Sequence, residues 1–417
     1  MKGVILAAPA SGSGKTTVAT GLVRALRRQG LAVQPYKAGP DYIDAGFLAA
    51  AAGRPCLNLD PWAMRPETLT AALDKHADIA VAEGVMGLFD GPEGGGGSTA
   101  DLAALTGWPV VLVVDCARQG QSVAALLEGF AGHRGDIRIA GAVLNRVAGA
   151  RHEALLRERA GAVPILAALP RDPGLALPSR HLGLVQAAEH AALEDWLERA
   201  ADLSPAAAMP FGPLNLPATG GADGAPLPPP GQRIAVARDE AFAFAYEHVL
   251  AGWRRAGAEI AFFSPLADEA PEGDAVFLPG GYPELHAGRL AAADNFMAAL
   301  RCHEGPVYGE CGGYMVLGEG LEDADGKRHA MAGLLPLETS FAGPARRLGY
   351  RRLEARGGGF PPGRAFRGHE FHYARALREG PGEALFETAD AQGRPLGPAG
   401  LRCGRVAGSF MHLIDGA

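Results

Sequence analysis

The apolar run Gly3-Val4-Ile5-Leu6-Ala7 passes directly into Ala8-Pro9-Ala10-Ser11-Gly12-Ser13-Gly14-Lys15-Thr16-Thr17, and this junction constrains the fold more than any other stretch. It reads as a buried strand, a glycine-containing turn and a helix beginning at Lys15 or Thr16. Residues 32–35, 79–82, 110–114 and 139–144 read as further buried strands separated by helical stretches, the alternation of a parallel sheet with helices on both faces. The fold class is therefore α/β. At 417 residues the chain is long for one core, so two domains are expected. Leu203-Ser204-Pro205 through Pro228-Pro229-Pro230-Gly231 is rich in proline, alanine and glycine and has no hydrophobic period, the composition of a linker. Beyond it the strand pattern restarts at residues 233–237, with a helix expected over 242–253 and a strand over 259–263. The expected organisation is a first domain over 1–200, a linker over 201–232 and a second domain over 233–417.

The first junction carries chemistry. A tight turn between strand and helix presents successive backbone N–H groups and a positive helix terminus to one point, which suits phosphate oxygens. Gly12 and Gly14 permit close backbone approach, Lys15 can neutralise phosphate charge, and the Thr16 hydroxyl, next to Thr17, can ligate Mg²⁺. Pro9 occupies the first glycine position of the strict G-x-x-x-x-G-K-[ST] pattern. The plain alternative is a glycine-rich turn with an exposed lysine. Glu83 ends its strand where an acid can reach a metal, and Asp90 follows in Gly87-Leu88-Phe89-Asp90-Gly91. Lys37-Ala38-Gly39-Pro40-Asp41-Tyr42-Ile43-Asp44 leaves the next strand at the edge where open α/β sheets bind ligands. Taken singly, each of these acids could instead cap a helix or stay solvated.

A second site lies at Gly309-Glu310-Cys311-Gly312-Gly313. Small residues on both sides of Cys311 allow a strained strand-to-helix turn that holds the thiol out, with the following N–H of Gly312 facing a developing oxyanion. Leu278-Pro279-Gly280-Gly281-Tyr282-Pro283-Glu284 can supply a second donor through Gly281. A nucleophilic cysteine needs a base, and histidine fits at neutral pH. His412, in Gly408-Ser409-Phe410-Met411-His412-Leu413, is the candidate, with His369 and His372 as rivals. If His369-Glu370-Phe371-His372 is a strand, its period of two separates His369 from Glu370 and His372, which argues against a metal site.

The formal net charge is −7 and no Lys/Arg-rich block occurs, so nucleic acid is not an expected partner. There is no apolar run of about 18 residues and no signal-peptide pattern, so no membrane association is expected and the protein should be cytoplasmic. Five cysteines without C-x-x-C spacing suit reduced thiols.

Lys-Ala-Gly-Pro-Asp-Tyr-Ile-Asp at 37–44, Glu-Gly-Val-Met-Gly-Leu-Phe-Asp-Gly at 83–91, Leu-Pro-Gly-Gly-Tyr-Pro-Glu at 278–284, Gly-Glu-Cys-Gly-Gly-Tyr-Met at 309–315 and the phosphate loop together resemble the cobyrinic or hydrogenobyrinic acid a,c-diamide synthases, end to end apart from the linker. Residues 55–64 and 408–415 look closest to the aerobic-pathway form acting on hydrogenobyrinic acid. The resemblance implies a P-loop NTPase domain of the dethiobiotin-synthetase type joined to a class I glutamine amidotransferase domain. Carried over by position, it makes Cys311 the glutaminase nucleophile and His412 its base. It puts Lys15, Thr16, Asp41 and Glu83 at ATP and magnesium, and Tyr42, Asp44 and Asp90 in loops that meet corrinoid carboxylates. Asn145 falls where related enzymes read adenine, or is a strand-end cap. Many class I glutaminases carry a glutamate two residues beyond the histidine; here Ile414 stands there, so a Cys311/His412 dyad is expected. The implied reaction uses ATP to activate a carboxylate of hydrogenobyrinic or cobyrinic acid toward ammonia released from L-glutamine. Cobyric acid synthase-like amidation of other carboxylates, a carboxylase resembling dethiobiotin synthetase, and a non-catalytic P-loop switch protein are the alternatives. Against the last, switches of the partitioning type carry a lysine early in the loop, where Ala10 stands here. A homodimer is left open.

Overall fold

The structure, a computed structural model, describes residues 1–73, 76–159, 161–177, 179–180, 183–216, 225–358, 360–361 and 364–417. Two compact units divide the chain: Met1–Trp62 with Leu69–Gly220, and Ala63–Thr68 with Gly221–Ala417.

In the first unit, strands β1 (Lys2–Ala7), β2 (Val33–Ala38), β3 (Leu57–Leu59), β4 (Ile79–Glu83), β5 (Val110–Asp115), β6 (Ile139–Val147) and β7 (Ile165–Pro170) form a parallel sheet in the order β3-β2-β4-β1-β5-β6-β7. The interiors of β1, β4 and β5 are almost wholly buried, as apolar runs covered on both faces must be. Several strands run further than their apolar stretches, because polar end residues stay in the ladder: Glu83 pairs with both Lys37 and Leu6, and Asp115 with Asn145. Chemically useful side chains therefore sit on the last rung, at the carboxyl edge.

Helix α1 (Lys15–Arg28) begins where the sequence indicates and buries Val18, Leu22, Val23 and Leu26. Its outer side meets the helix Leu193–Asp202, with Arg24 bonded to Glu194 and Glu198. The residues expected to open the linker belong to this unit: Gly212–Pro213 pairs antiparallel with Lys2 and Gly3. Residues 217–224 of that segment lie outside the described residues.

The second unit contains a ten-stranded sheet. Its strands are β8 (Arg233–Ala237), β9 (Glu259–Phe263), β10 (Ala275–Leu278), β11 (Val307–Glu310), β12 (Arg347–Ala355), β13 (Ala365–His372), β14 (Glu383–Ala389), β15 (Pro395–Cys403), β16 (Val406–Ser409) and β17 (Met411–Gly416). The order is β9-β8-β10-β11-β16-β15-β14-β12-β13-β17, parallel from β9 through β16 and antiparallel thereafter. Ala63–Thr68 joins this unit, where the backbone and guanidinium of Arg65 both bond the buried Asp415. The helix expected from residue 242 begins instead at Glu247 and ends at Arg255. Asp239 turns the chain by accepting from the N–H of Ala241 and Leu266, and the Phe244 N–H bonds the Gly280 carbonyl, so those residues are tied elsewhere.

Gly21 in α1 marks a close helix crossing, since a Cβ there would stand 2.4 Å from the Ala200 carbonyl oxygen. Gly21→Ala gains up to about 1 kcal/mol of helix propensity, but separating two backbones costs more, so a net loss of roughly 1–2 kcal/mol is expected. A lower urea midpoint for the first unit's unfolding checks this.

Candidate active site

The turn after β1 has the conformation its glycines suggest: Gly12 and Gly14 lie at φ 80° and 85°, left-handed values that glycine adopts without strain. Lys15 is buried and donates to the Met86 carbonyl at 2.7 Å; Met86 is itself left-handed, at φ 47°. Thr16 Oγ1 donates to Glu83 Oε1 at 2.7 Å. Behind them sits a residue that sequence reasoning quoted without assigning it a role. Lys37 is 1% exposed, with Nζ 2.6 Å from Asp44 Oδ2 and 3.1 Å from Glu83 Oε1. The available signal was a lysine at the end of an otherwise uncharged strand.

Burial governs the electrostatics. It would strip Lys37 of its proton, but Asp44, Glu83 and Asp41 outweigh it and hold the ammonium well above its ordinary range. Burial raises Glu83 to about 7 against the opposing pull of Lys37, and burial with the neighbouring Asp44 raises Asp41 to about 6. Lys15 is lowered by burial and by Lys37. Charge is thus held at the carboxyl edge by close compensation. Glu83 Oε2 is buried without a hydrogen-bond partner among the described residues. No group of three or more His, Cys, Asp and Glu side chains suited to a metal occurs among those residues, but a magnesium ion bound with phosphates needs only one or two protein ligands.

The remaining residues singled out in the first unit fall around this centre. Asp41 Oδ1 accepts from the N–H groups of Ile43 and Asp44, holding the start of helix α2 (Ile43–Ala52); Tyr42, half-buried, stands at that end of the helix. Asp90 is exposed and accepts from the Gly87 N–H at 2.8 Å, bracing the turn that carries Met86. Thr17 and Asn145 line a cavity of about 540 Å³ together with Gly14, Arg146 and Pro170. Asn145 Nδ2 donates to the Ser13 carbonyl at 2.9 Å, and its Oδ1 accepts from the Arg146 N–H. It is a cavity wall and a brace of the phosphate loop.

In the second unit the chain leaves β11 at Glu310 and enters the short helix Gly312–Leu317 through Cys311, whose φ of 48° and ψ of −103° are strained for a side-chain-bearing residue. The Cys311 N–H is tied to the Ser409 carbonyl at 2.8 Å. Its thiol faces the Phe371 carbonyl at 3.7 Å. The Gly312 N–H bonds toward the sulfur, and the Gly281 nitrogen lies 3.0 Å from where a Cβ of Gly312 would be, so the two glycine amides nominated as oxyanion donors are neighbours. A Cβ on Gly280 would stand 3.3 Å from Cys311 Cβ and 2.4 Å from His412 Cε1. Thiol and imidazole thus converge over one glycine.

Burial pushes the Cys311 thiol well up, reinforced by Glu284, Glu310 and Glu370. Burial, then His369 and His372, lowers His412 to about 3. The resting pair is a neutral thiol beside a neutral imidazole, so any attack by this sulfur would need a base. His369 pairs across the strands with His412, while His372 bonds Glu370 at 3.0 Å and stacks on Phe410. The expected same-face pairing of Glu370 and His372 is what the strand produces. Glu370 also meets Arg351 at 2.8 Å. The carboxylates of Glu310 and Glu284 belong to this site as well, and motif reading assigned a role to neither.

Comparison with known proteins follows this division. Residues 4–185 match the CobQ/CobB/MinD/ParA nucleotide binding domain and residues 233–416 the CobB/CobQ-like glutamine amidotransferase domain. The chain is 58% identical over 433 residues, covering 100% of it and 99% of the relative, to the hydrogenobyrinate a,c-diamide synthase of Brucella abortus biovar 1. The enzymes of that name from Rhizobium meliloti and Rhodobacter capsulatus are 56% and 52% identical with the same coverage. The chain belongs to the hydrogenobyrinate a,c-diamide synthase family. It is a glutamine-dependent, amide-forming ligase of two α/β domains, one of them nucleotide-binding. Among its described residues no helix is long and apolar enough to cross a membrane.

Gly280→Ala should drive the His412 ring away from Cys311. Glutamine hydrolysis is expected to fall by roughly 10²-fold, the usual scale for a misplacement of about 1 Å, while binding of the ATP analogue AMP-PNP to the other unit is retained. Steady-state glutaminase assays and calorimetric titration check both halves.

Proposed function

We propose that this chain amidates the a and c carboxylates of hydrogenobyrinic acid in cobalamin biosynthesis, drawing energy from ATP and nitrogen from L-glutamine, in the cytoplasm. The observation that carries this reading is the coexistence, in a chain alike end to end with enzymes of that name, of a glycine-rich turn carrying Lys15 and Thr16 and a strained cysteine that shares the face of Gly280 with a buried histidine. A carboxylate resists ammonia at neutral pH until one oxygen becomes a leaving group. Phosphorylation by ATP provides that, and the resulting acyl phosphate accepts ammonia freed from glutamine.

In the first unit, the backbone amides around Gly12 and Gly14 hold the phosphates, Lys15 leaves the Met86 carbonyl to meet them, and Lys37 keeps Asp44 charged and opposes the burial that raises Glu83 beneath them. The cavity beside Thr17 and Asn145 suits the nucleoside. The orphaned Oε2 of Glu83, with the Thr16 hydroxyl and Asp41 beside it, fits a magnesium ion, which when bound would spread the charge of the transferring phosphoryl group. Tyr42, Asp44 and Asp90, on the two loops that frame this edge, are proposed to orient the macrocycle. In the second unit, Cys311 attacks the glutamine amide, His412 carries its proton to the leaving nitrogen, and the amides of Gly281 and Gly312 hold the oxyanion.

Cys311→Ala is expected to lower glutamine-supported amidation by roughly 10³-fold or more, with ammonium salts still serving as donor. Lys15→Ala should abolish turnover with either donor. Product formation from hydrogenobyrinic and cobyrinic acid, followed chromatographically, tests the substrate at the same time. Persistent ammonium-dependent amidation in the Lys15 variant overturns the assignment of the phosphate loop.

A further inference from the structure

We infer that Glu310, the residue immediately before the nucleophile, is the positioning carboxylate of His412, so that the glutaminase centre is a triad drawn from β11, the turn that follows it, and β17. The inference rests on the glutaminase reading of Cys311 and His412 and adds the member that the dyad lacks.

Glu310 is the last residue of β11 and its side chain is 5% exposed. One carboxylate oxygen, Oε1, accepts from the Leu413 N–H at 3.1 Å, and the other, Oε2, lies 3.8 Å from His412 Nδ1. The brace has two points: the backbone next to the histidine, and the ring itself. The position two residues beyond His412 holds Ile414, which is 1% exposed and whose carbonyl bonds His248, so no carboxylate can come from there. A small cavity beside Glu310 is lined mainly by apolar and aromatic groups, Leu227, Trp253, Phe277 and Leu413 with Tyr308; burial raises the carboxyl to about 8, against the opposing pull of the Leu413 N–H and the Tyr308 hydroxyl. His369 and His372 also act on His412, but the buried Nδ1 of His369 has no hydrogen-bond partner among the described residues, and His372 is engaged by the Ala374 carbonyl and Glu370.

The consequence is tautomeric. A carboxylate accepting from Nδ1–H leaves Nε2 unprotonated, and Nε2 and the Cys311 Cβ each lie 3.3 Å from where a Cβ of Gly280 would stand. The S–H bond then breaks as the S–C bond to the glutamine δ-carbon forms. The proton passes to Nε2 and on to the amide nitrogen, which leaves as ammonia. Water cleaves the thioester, giving glutamate, with its proton returned through His412 to the sulfur. The imidazolium formed transiently favours the ionised form of Glu310, which burial otherwise raises to about 8, and has it as counter-ion. A separation of 3.8 Å without substrate is in keeping with catalytic hydrogen bonds that tighten only when the substrate is bound.

The test is Glu310→Gln, which keeps the oxygen that accepts from Leu413 but can present an amide N–H to Nδ1 and so favour the wrong tautomer. The expected result is a fall in glutaminase kcat of roughly 10²–10⁴-fold, with KM for glutamine, the thermal midpoint and ammonium-supported amidation retained. Nitrogen-15 spectra of histidine-labelled protein should show the His412 proton moving from Nδ1 to Nε2. Near-normal kcat, an unchanged tautomer, or a loss shared by kcat, KM and melting temperature would each overturn the inference, the last by making Glu310 a clamp of the C-terminal strand. A wild-type protein that does not hydrolyse glutamine would instead defeat the underlying reading, so the two failures are distinguishable.

Discussion

Parallel strands release their chains at one edge of a sheet, and the chemistry of both units depends on that constraint. In the first, β1 leads into the phosphate loop, β4 ends at Glu83, and β2 and β6 end within two residues of Lys37 and Asn145. In the second, β10, β11 and β16 end beside Gly280, Cys311 and Ser409. Groups as far apart as Ser13 and Asn145, 132 residues distant in the chain, meet because parallel strands deliver them to one edge. The ladder that organises the apolar core also sets the spacing of the reactive atoms.

Burial is the second common element, and the units use it in opposite ways. Around Glu83 it is met with compensation: a lysine that is 1% exposed touches two carboxylates, and its ammonium persists because they outweigh its desolvation. Around Cys311 burial is left largely uncompensated, so thiol and imidazole rest neutral. A cradle for a polyanion needs fixed charge before its ligand arrives. A nucleophile that must spare bystanders is better kept protonated until substrate and oxyanion donors are in place.

Much of this was legible in the chain. Strands 233–237 and 259–263 match their apolar runs residue for residue, and α1 starts at Lys15, because glycine turns and buried β-branched runs are local signals. Other features were not legible. The helix expected from residue 242 starts at Glu247, since Asp239 and Gly280 hold the preceding residues through contacts remote in sequence. The antiparallel strands between 347 and 403 carry exposed arginines, prolines and glycines, and strands of that composition have little hydrophobic period to read. Gly212–Pro213, inside a stretch with the composition of a linker, is recruited by a free edge of β1.

What the sequence alone determined is the chemistry written in contiguous residues: the phosphate loop at Gly12–Thr16, the strained turn at Cys311, and the α/β class, each set by backbone preferences within a few positions. Only the tertiary structure decided which groups serve them. Lys37 meets Glu83 and Asp44, Asn145 braces Ser13, and Glu310 stands behind His412. The first follows from the register of β2 on β4, where Lys37 stands opposite Glu83; all of them depend on the direction a side chain takes off its strand, which a one-residue slip would reverse.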